Sequence, residues 1–237
     1  MELPDFIQIG NQSPSLRFLI IGGWAVGAHG NPRATFDVDF MIRRADRDGW
    51  FERAMARGMQ LFRESGAFAQ FTQPAGDGLD LMFVGDQTFG TMWDASEERA
   101  FGEMNARVPC LDHLLALKLH ALRQNLAHRT SKDADDVEVL LRRHEINLGD
   151  PHYATLFLKY GTREPMRPSS EYSVIRDAGR PSLEFDLPEP EGFTSLPTWV
   201  SLERMQKGIR QMRAWFPAGI PTPEERWQAK TTQVFKL

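Results

Sequence analysis

Cysteine is almost absent: the 237-residue chain carries one, Cys110. A single thiol excludes an intramolecular disulfide and a cysteine-rich zinc module. It fits a reducing cytosol, and a small buried or half-buried residue is a simpler reading of Cys110 than a nucleophile. Long apolar runs are missing too. No stretch reaches the roughly 18 consecutive apolar residues of a spanning helix. MELPDFIQIG lacks the basic segment and apolar run of a secretion signal. The expected location is therefore cytoplasmic, with no membrane partner. There is no excess of positive charge: the net charge of −4 speaks against a chain coated along its length by nucleic acid, while local basic patches stay open. Neither a P-loop, a G-x-S-x-G elbow nor a zinc spacing among the six histidines occurs. No internal repeat or low-complexity tract is present.

What the chain does have is core material and an uneven charge. Sixteen Phe and six Trp can build a substantial interior. The acidity sits before residue 150, where the balance is −5; the remainder is close to neutral at +1.

Periodicity divides the first 150 residues into strands and helices. RFLIIGG reads as a buried strand ending at glycines, and WAVGAHG as a short helix or turn. FDVDFMIRR alternates like a strand. ADRDGWFERAMARG is an amphipathic helix expected to bury Trp50, Phe51 and Met55. MQLFRES, AFAQFTQ and GLDLMFV are three further strands, with Gly66 and the Pro74–Gly78 stretch as turns. Two helical patterns follow, LDHLLALKLHALRQNLA and KDADDVEVLLRRH, separated by His128–Ser131. The pattern is α+β or α/β. From Arg163 to Pro197 six prolines and no clear periodicity indicate an extended connection. A last helix is expected over about Leu202–Trp215. The expected division is 1–149 as the core with its helical pair and 150–237 as a C-terminal extension.

The alternating strand raises the chemical question. Successive side chains of a strand point to opposite faces, so Phe36, Val38 and Phe40 face one way, Asp37 and Asp39 the other. Two neighbouring carboxylates repel, and one would tend to hold a proton. A divalent cation removes the conflict: Mg2+ takes oxygen ligands, commonly one or two carboxylates plus substrate phosphates. The competing reading is a solvated acidic strand face. Gly22 and Gly23, which close the preceding strand, allow close backbone approach and positive φ. A helix starting there would favour an anion, and Arg33 in the following loop could contact a phosphate. Asp80, in GLDLMFV, is a third carboxylate in an apolar strand, costly unless exposed or paired. Three carboxylates with two metal ions would suit in-line attack on a nucleotide phosphate.

The helical pair adds a lysine in an unusual place. Leu111, Leu114, Leu115, Leu122 and Leu126 recur at helical spacing, and Lys118 falls on that stripe. It either snorkels outward or meets a partner; Asp136 on the next helix could pair with it. Asp133 and Asp136 near a helix N-terminus also complement the helix dipole.

GGWAVGAHGNPRATFDVDF resembles the signature of the DNA polymerase β-type nucleotidyltransferase superfamily: a glycine turn, then a D-x-D strand. Its R-x-T-x-D-x-D form, Arg33, Thr35, Asp37 and Asp39, is most like the minimal nucleotidyltransferases of the AbiEii/MenT toxin group. The resemblance spans roughly Phe18–Leu141. Lys118, Arg123 or Arg129, Lys132, Asp133 and Asp136 are similar to the group's second motif. Many superfamily members carry Gly-Ser where this chain has Gly23 followed by Trp24. The resemblance implies an α+β fold, a small mixed β-sheet core flanked by helices. It implies a Mg2+-dependent enzyme, with two ions, transferring NMP from an NTP to an acceptor hydroxyl. Asp37, Asp39 and Asp80 would be catalytic and metal-binding; Gly22, Gly23, Arg33, Thr35, Lys118 and Asp136 would bind the nucleotide. The acceptor would be tRNA or a protein, and the role that of a toxin with a cognate antitoxin or a phage-defence toxin. Two alternatives stay open: a small-molecule nucleotidyltransferase acting on an aminoglycoside-like acceptor, and a catalytically silent nucleotide- or partner-binding module.

Other signals read more simply. His29 is a turn residue before it is a nucleotide contact; His113, His120 and His128 are packing or surface residues. Arg204, Lys207, Arg210 and Arg213 recur every three residues and could meet RNA phosphates; a solvated helix face is the plainer reading.

Overall fold

The computed structural model describes residues 3–13, 15–35, 37–73, 78–123, 130–148, 150–161 and 180–188. Phe36, Leu126, His128, Arg129, the terminal helix expected over 202–215 with its basic residues, and most of the proline-rich segment lie outside the described residues. Along the chain come α1 (Leu3–Asn11), β1 (Phe18–Ile20), α2 (Gly22–Ala28), β2 (Val38–Arg43), α3 (Arg47–Ala56), β3 (Gln60–Glu64), β4 (Phe68–Thr72), β5 (Leu79–Val84), α4 (Asp86–Asp94), β6 (Glu97–Phe101), β7 (Met104–Val108), α5 (Leu111–Arg123), α6 (Thr130–Arg143) and α7 (Pro151–Gly161). The architecture is α+β: a mixed five-stranded sheet in the order β1-β2-β5-β4-β3, flanked by helices, with β6 and β7 as a separate hairpin.

β2 and β5 run parallel at the centre, because α3, β3 and β4 carry the chain back before β5 begins. Every other pairing is antiparallel. One face of the sheet is apolar, carrying Val38, Phe40, Leu79, Leu81, Ala69 and Phe71, all at most 1% exposed. α3 covers it. Trp50 meets Phe18 and Phe40 edge-on, each at 5.5 Å between ring centroids, and Phe51 meets Phe71 at 4.9 Å. Burying one such side chain stabilises the fold by roughly 1.5–3 kcal/mol, and the edge-to-face geometry adds to this. Met55 is a correction: expected in this core, it is 54% exposed, because Trp50, Phe51 and Ala54 fill the buried stripe of α3.

The polar-apolar alternation of β2 holds only in its first half. Asp39 is half-buried between Val38 and Phe40, but Met41 and Ile42 are both buried, as in a central strand with both faces covered. Asp37 stands just before the first residue of the strand. α1, unassigned from the sequence, buries Leu3, Phe6, Ile7 and Ile9; Pro4 is tolerated in its first turn, where an N–H has no helical partner.

The first part of the extension lies on the core. α7 packs against α5, and a strap of residues 180–188 crosses α5 and α7. Phe185, 4% exposed, stacks on Tyr160 at 5.1 Å and meets His113 edge-on at 4.9 Å. The Tyr160 hydroxyl lies 2.9 Å from both the Leu183 and Phe185 carbonyls. Among the described residues, no helix is long and apolar enough to cross a membrane.

Candidate active site

The sheet brings the D-x-D strand and the third carboxylate together. In the parallel register of β2 and β5, Asp39 is the direct partner of Asp80, so both side chains leave the same face, opposite the α3 side. The row continues through Gln70 on β4 and Arg63 on β3. Asp37 precedes the row by two residues.

The glycines make room for these carboxylates. Gly22 opens α2 at φ +64°, a conformation that favours glycine, and a methyl group there would overlap the Asp39 carboxylate. A Cβ on Gly78 would stand 2.8 Å from Asp37 Oδ1. A Cβ on Gly23 would come within 2.7 Å of Thr35 Oγ1 and 3.1 Å of Arg33 Nη1. The turn is a glycine turn because Asp39, Thr35 and Arg33 occupy the space a side chain would need. The Ile21 N–H donates to the Asp39 carbonyl at 2.9 Å, tying the turn to the carboxylate strand. Trp24, the bulky residue after the glycines, is buried in the core.

Arg33, Lys118, Asp133 and Asp136 form one buried cluster. Arg33 grips Asp136 with two bonds, Nε to Oδ1 at 2.6 Å and Nη2 to Oδ2 at 2.7 Å. Lys118 Nζ reaches Asp136 Oδ2 at 2.8 Å and Asp133 Oδ1 at 2.9 Å. All four side chains are at most 10% exposed. Burial pushes the Asp136 carboxyl up, but the Arg33 hydrogen bond and the charge of Lys118 outweigh it and hold the group below its ordinary range. The lysine on the apolar stripe thus meets Asp136, as its spacing suggested, and Asp133 as well. Arg33 does not stand open in the loop: its guanidinium and the Lys118 ammonium are already matched by carboxylates. Asp133 Oδ2 is buried without a hydrogen-bond partner among the described residues.

Lys132, part of the second motif, lies near the site and is exposed. Part of its surface meets solvent, while neighbouring groups crowd the ammonium. That crowding lowers its pKa to about 8, chiefly through burial, then through the charges of Arg33 and Lys118 against the pull of Asp39 and Asp136. The sequence signal was a lysine directly before Asp133; its nearness to Asp39 could not be seen without the fold.

The donor set suits a hard divalent cation. Among the described residues no three His, Cys, Asp or Glu side chains form a ready-made metal cage. Mg2+ needs none, since one or two carboxylates and substrate phosphates are its usual ligands. Asp39 and Asp80, on adjacent strands and backed by glycine, fit that requirement.

The remaining candidates have structural partners. His29 is buried and its Nε2 lies 2.8 Å from the Pro109 carbonyl. His113 Nε2 donates to the Ser182 carbonyl at 2.7 Å and His120 Nε2 to that of Pro188 at 3.1 Å, so both hold the strap. Burial raises the Cys110 thiol to about 11, which keeps it protonated and unreactive at neutral pH.

No protein-family model and no curated protein matches the sequence. Solved structures match by fold. The antibiotic-resistance factor ANT(2'')-Ia, in complex with adenylyl-2''-tobramycin, is similar at 15% identity and a TM-score of 0.52, over 67% of this chain and 97% of that one. Its solution structure gives a TM-score of 0.51 at 15% identity, over 67% of this chain and 89% of that one. A looser likeness is to the lincosamide antibiotic adenylyltransferase LnuA with lincomycin bound, with a TM-score of 0.45 at 11% identity over 58% of this chain and 95% of that one. The likeness to ANT(2'')-Ia shows that the chain has the nucleotidyltransferase fold.

Proposed function

We propose that the chain is a Mg2+-dependent nucleotidyltransferase that moves NMP from an NTP to an acceptor hydroxyl. The observation that carries this reading is Asp39 in direct register with Asp80, on the sheet face opposite the core helix α3. Asp37, Asp39 and Asp80 would hold the metal, which when bound offsets triphosphate charge and polarises the α-phosphate. The acceptor oxygen attacks the α-phosphorus, the bond to the pyrophosphate oxygen breaks, and the hydroxyl proton passes to a carboxylate, with Asp80 in reach of that role. The Gly22–Gly23 turn keeps the approach to Asp39 open. Lys132 is placed to meet the triphosphate, while the Arg33–Asp136–Lys118 cluster holds the Thr35 loop and the helical pair beside it. Catalysis in such a site rests on positioning and charge.

The acceptor has two readings. The R-x-T-x-D-x-D motif favours an AbiEii-like cytoplasmic toxin acting on tRNA or protein and restrained by an antitoxin. The fold likeness to ANT(2'')-Ia favours a small-molecule hydroxyl. One labelling screen separates them. NTP labelled at the α-phosphate, each of four bases in turn, is incubated with the protein, Mg2+ and either total RNA, lysate protein or an aminoglycoside panel. Label should move to one class, and Asp39→Ala should abolish it. Equal labelling by wild type and Asp39→Ala would sink the site assignment; no Mg2+-dependent NTP binding by calorimetry would leave a silent binding module.

A further inference from the structure

Gln70 lies one strand beyond the paired carboxylates. β4 runs antiparallel to β5, and Gln70 is the register partner of Asp80, as Asp39 is on the other side. The three side chains therefore stand in one row on one sheet face. Gln70 Nε2 donates to Asp80 Oδ2 at 3.1 Å. An ionised carboxylate only accepts, so the amide must present its nitrogen and has one orientation. The neighbouring residues on β4, Ala69 and Phe71, are fully buried on the opposite face, whereas Gln70 is half-buried. A glutamine has more rotamer freedom to lose there than the β-branched residues that suit a half-buried strand position. Apolar packing does not account for it; the bond to Asp80 does.

We infer that Gln70 is a positioning residue that holds Asp80 Oδ2 and so fixes the rotation of that carboxylate beside Asp39. The inference rests on the nucleotidyltransferase reading of the site and extends it to a residue that acts through Asp80. Partners of a metal-binding carboxylate orient the ligand and govern its affinity. Gln70→Ala removes the donor, and Gln70→Glu replaces it with a like charge.

The experiment measures Mn2+ affinity by electron paramagnetic resonance, with a non-hydrolysable NTP analogue present, and pairs it with thermal melting. Gln70→Ala should bind Mn2+ about 10–100-fold more weakly, and Gln70→Glu more weakly still or with altered stoichiometry. The double variant Gln70→Ala/Asp80→Ala should lose no more than Asp80→Ala alone, since Gln70 acts through Asp80. A purely structural glutamine would shift the melt and leave the affinity of the folded protein unchanged. Mn2+ binding by Gln70→Ala within about twofold of wild type, or losses that simply add in the double variant, overturn the inference while the nucleotidyltransferase reading stands. Wild-type Mn2+ binding that ignores Asp80→Ala overturns both.

Discussion

Asp136→Asn is the most informative change to the buried charge cluster. The substitution keeps the side-chain shape and removes one charge. Arg33 loses the carboxylate that it grips with two bonds, and Lys118 keeps only Asp133. The four-membered cluster moves from neutral to +1 with its side chains at least nine-tenths buried. Breaking a buried pair by removing one partner costs about 3–5 kcal/mol, because an uncompensated charge is left behind. That is a large share of a typical stability of about 5–15 kcal/mol. At about 2–4 °C per kcal/mol for a chain of this size, Tm should fall by roughly 6–20 °C. The pH dependence has a definite sign. The folded Asp136 carboxyl titrates below its ordinary range, so its contribution is complete above the unfolded pKa and is lost as pH falls through the folded one. The gap between wild type and variant should hold at neutral pH and close only in strong acid. Adding Lys118→Met restores neutrality, so the double variant should be more stable than the sum of the single losses by about 0.5–3 kcal/mol. Urea unfolding followed by circular dichroism, with linear extrapolation, reads all three variants. A loss below about 1 kcal/mol for Asp136→Asn, or strict additivity in the double variant, would refute a coupled buried cluster.

Three further outcomes are expected. Gly22→Ala combines a positive φ with overlap of the Asp39 carboxylate; it should lower stability by about 1–2 kcal/mol and suppress label transfer, and full activity would show that Asp39 needs no such clearance. Lys132 titrates near pH 8, and its charged form is the one a triphosphate favours. Mg2+–NTP binding should therefore take up a fraction of a proton near that pH and weaken above it; calorimetry in buffers of different ionisation heat reads the uptake, which Lys132→Met should remove. Phe185→Ala should cost about 3–5 kcal/mol if the strap is a firm part of the core, with faster limited proteolysis near residues 180–188; an unchanged unfolding midpoint would count against that docking.

Much of the candidate site was legible before the fold. Glycines followed by alternating aspartates, a charge inside the apolar GLDLMFV, and a lysine on a leucine stripe each break a local rule. Such breaks collect where function or a specific partner compensates. The helices and strands around them followed from period. What stayed hidden had no local signal. Met55 sits on a helix whose buried stripe is filled by its neighbours, so hydrophobicity alone misplaced it. Gln70 reads as an ordinary polar strand residue until β4 lies beside β5. His113 and His120 read as packing or surface residues; that they pack under a strap nearly 70 residues away in sequence only the fold decides.

The sequence by itself determined the face Asp39 and Asp80 would take within their strands and the stripe on which Lys118 would lie, since those depend on a backbone repeat of two or 3.6 residues. It did not determine that Asp39 would sit opposite Asp80, or that Arg33 would close on Asp136, 103 residues further along the chain. Strand order, register and helix docking are chosen by the whole core as it excludes water. Only that choice set Asp39 and Asp80 side by side on one sheet face and joined Arg33, Lys118, Asp133 and Asp136 into one buried cluster.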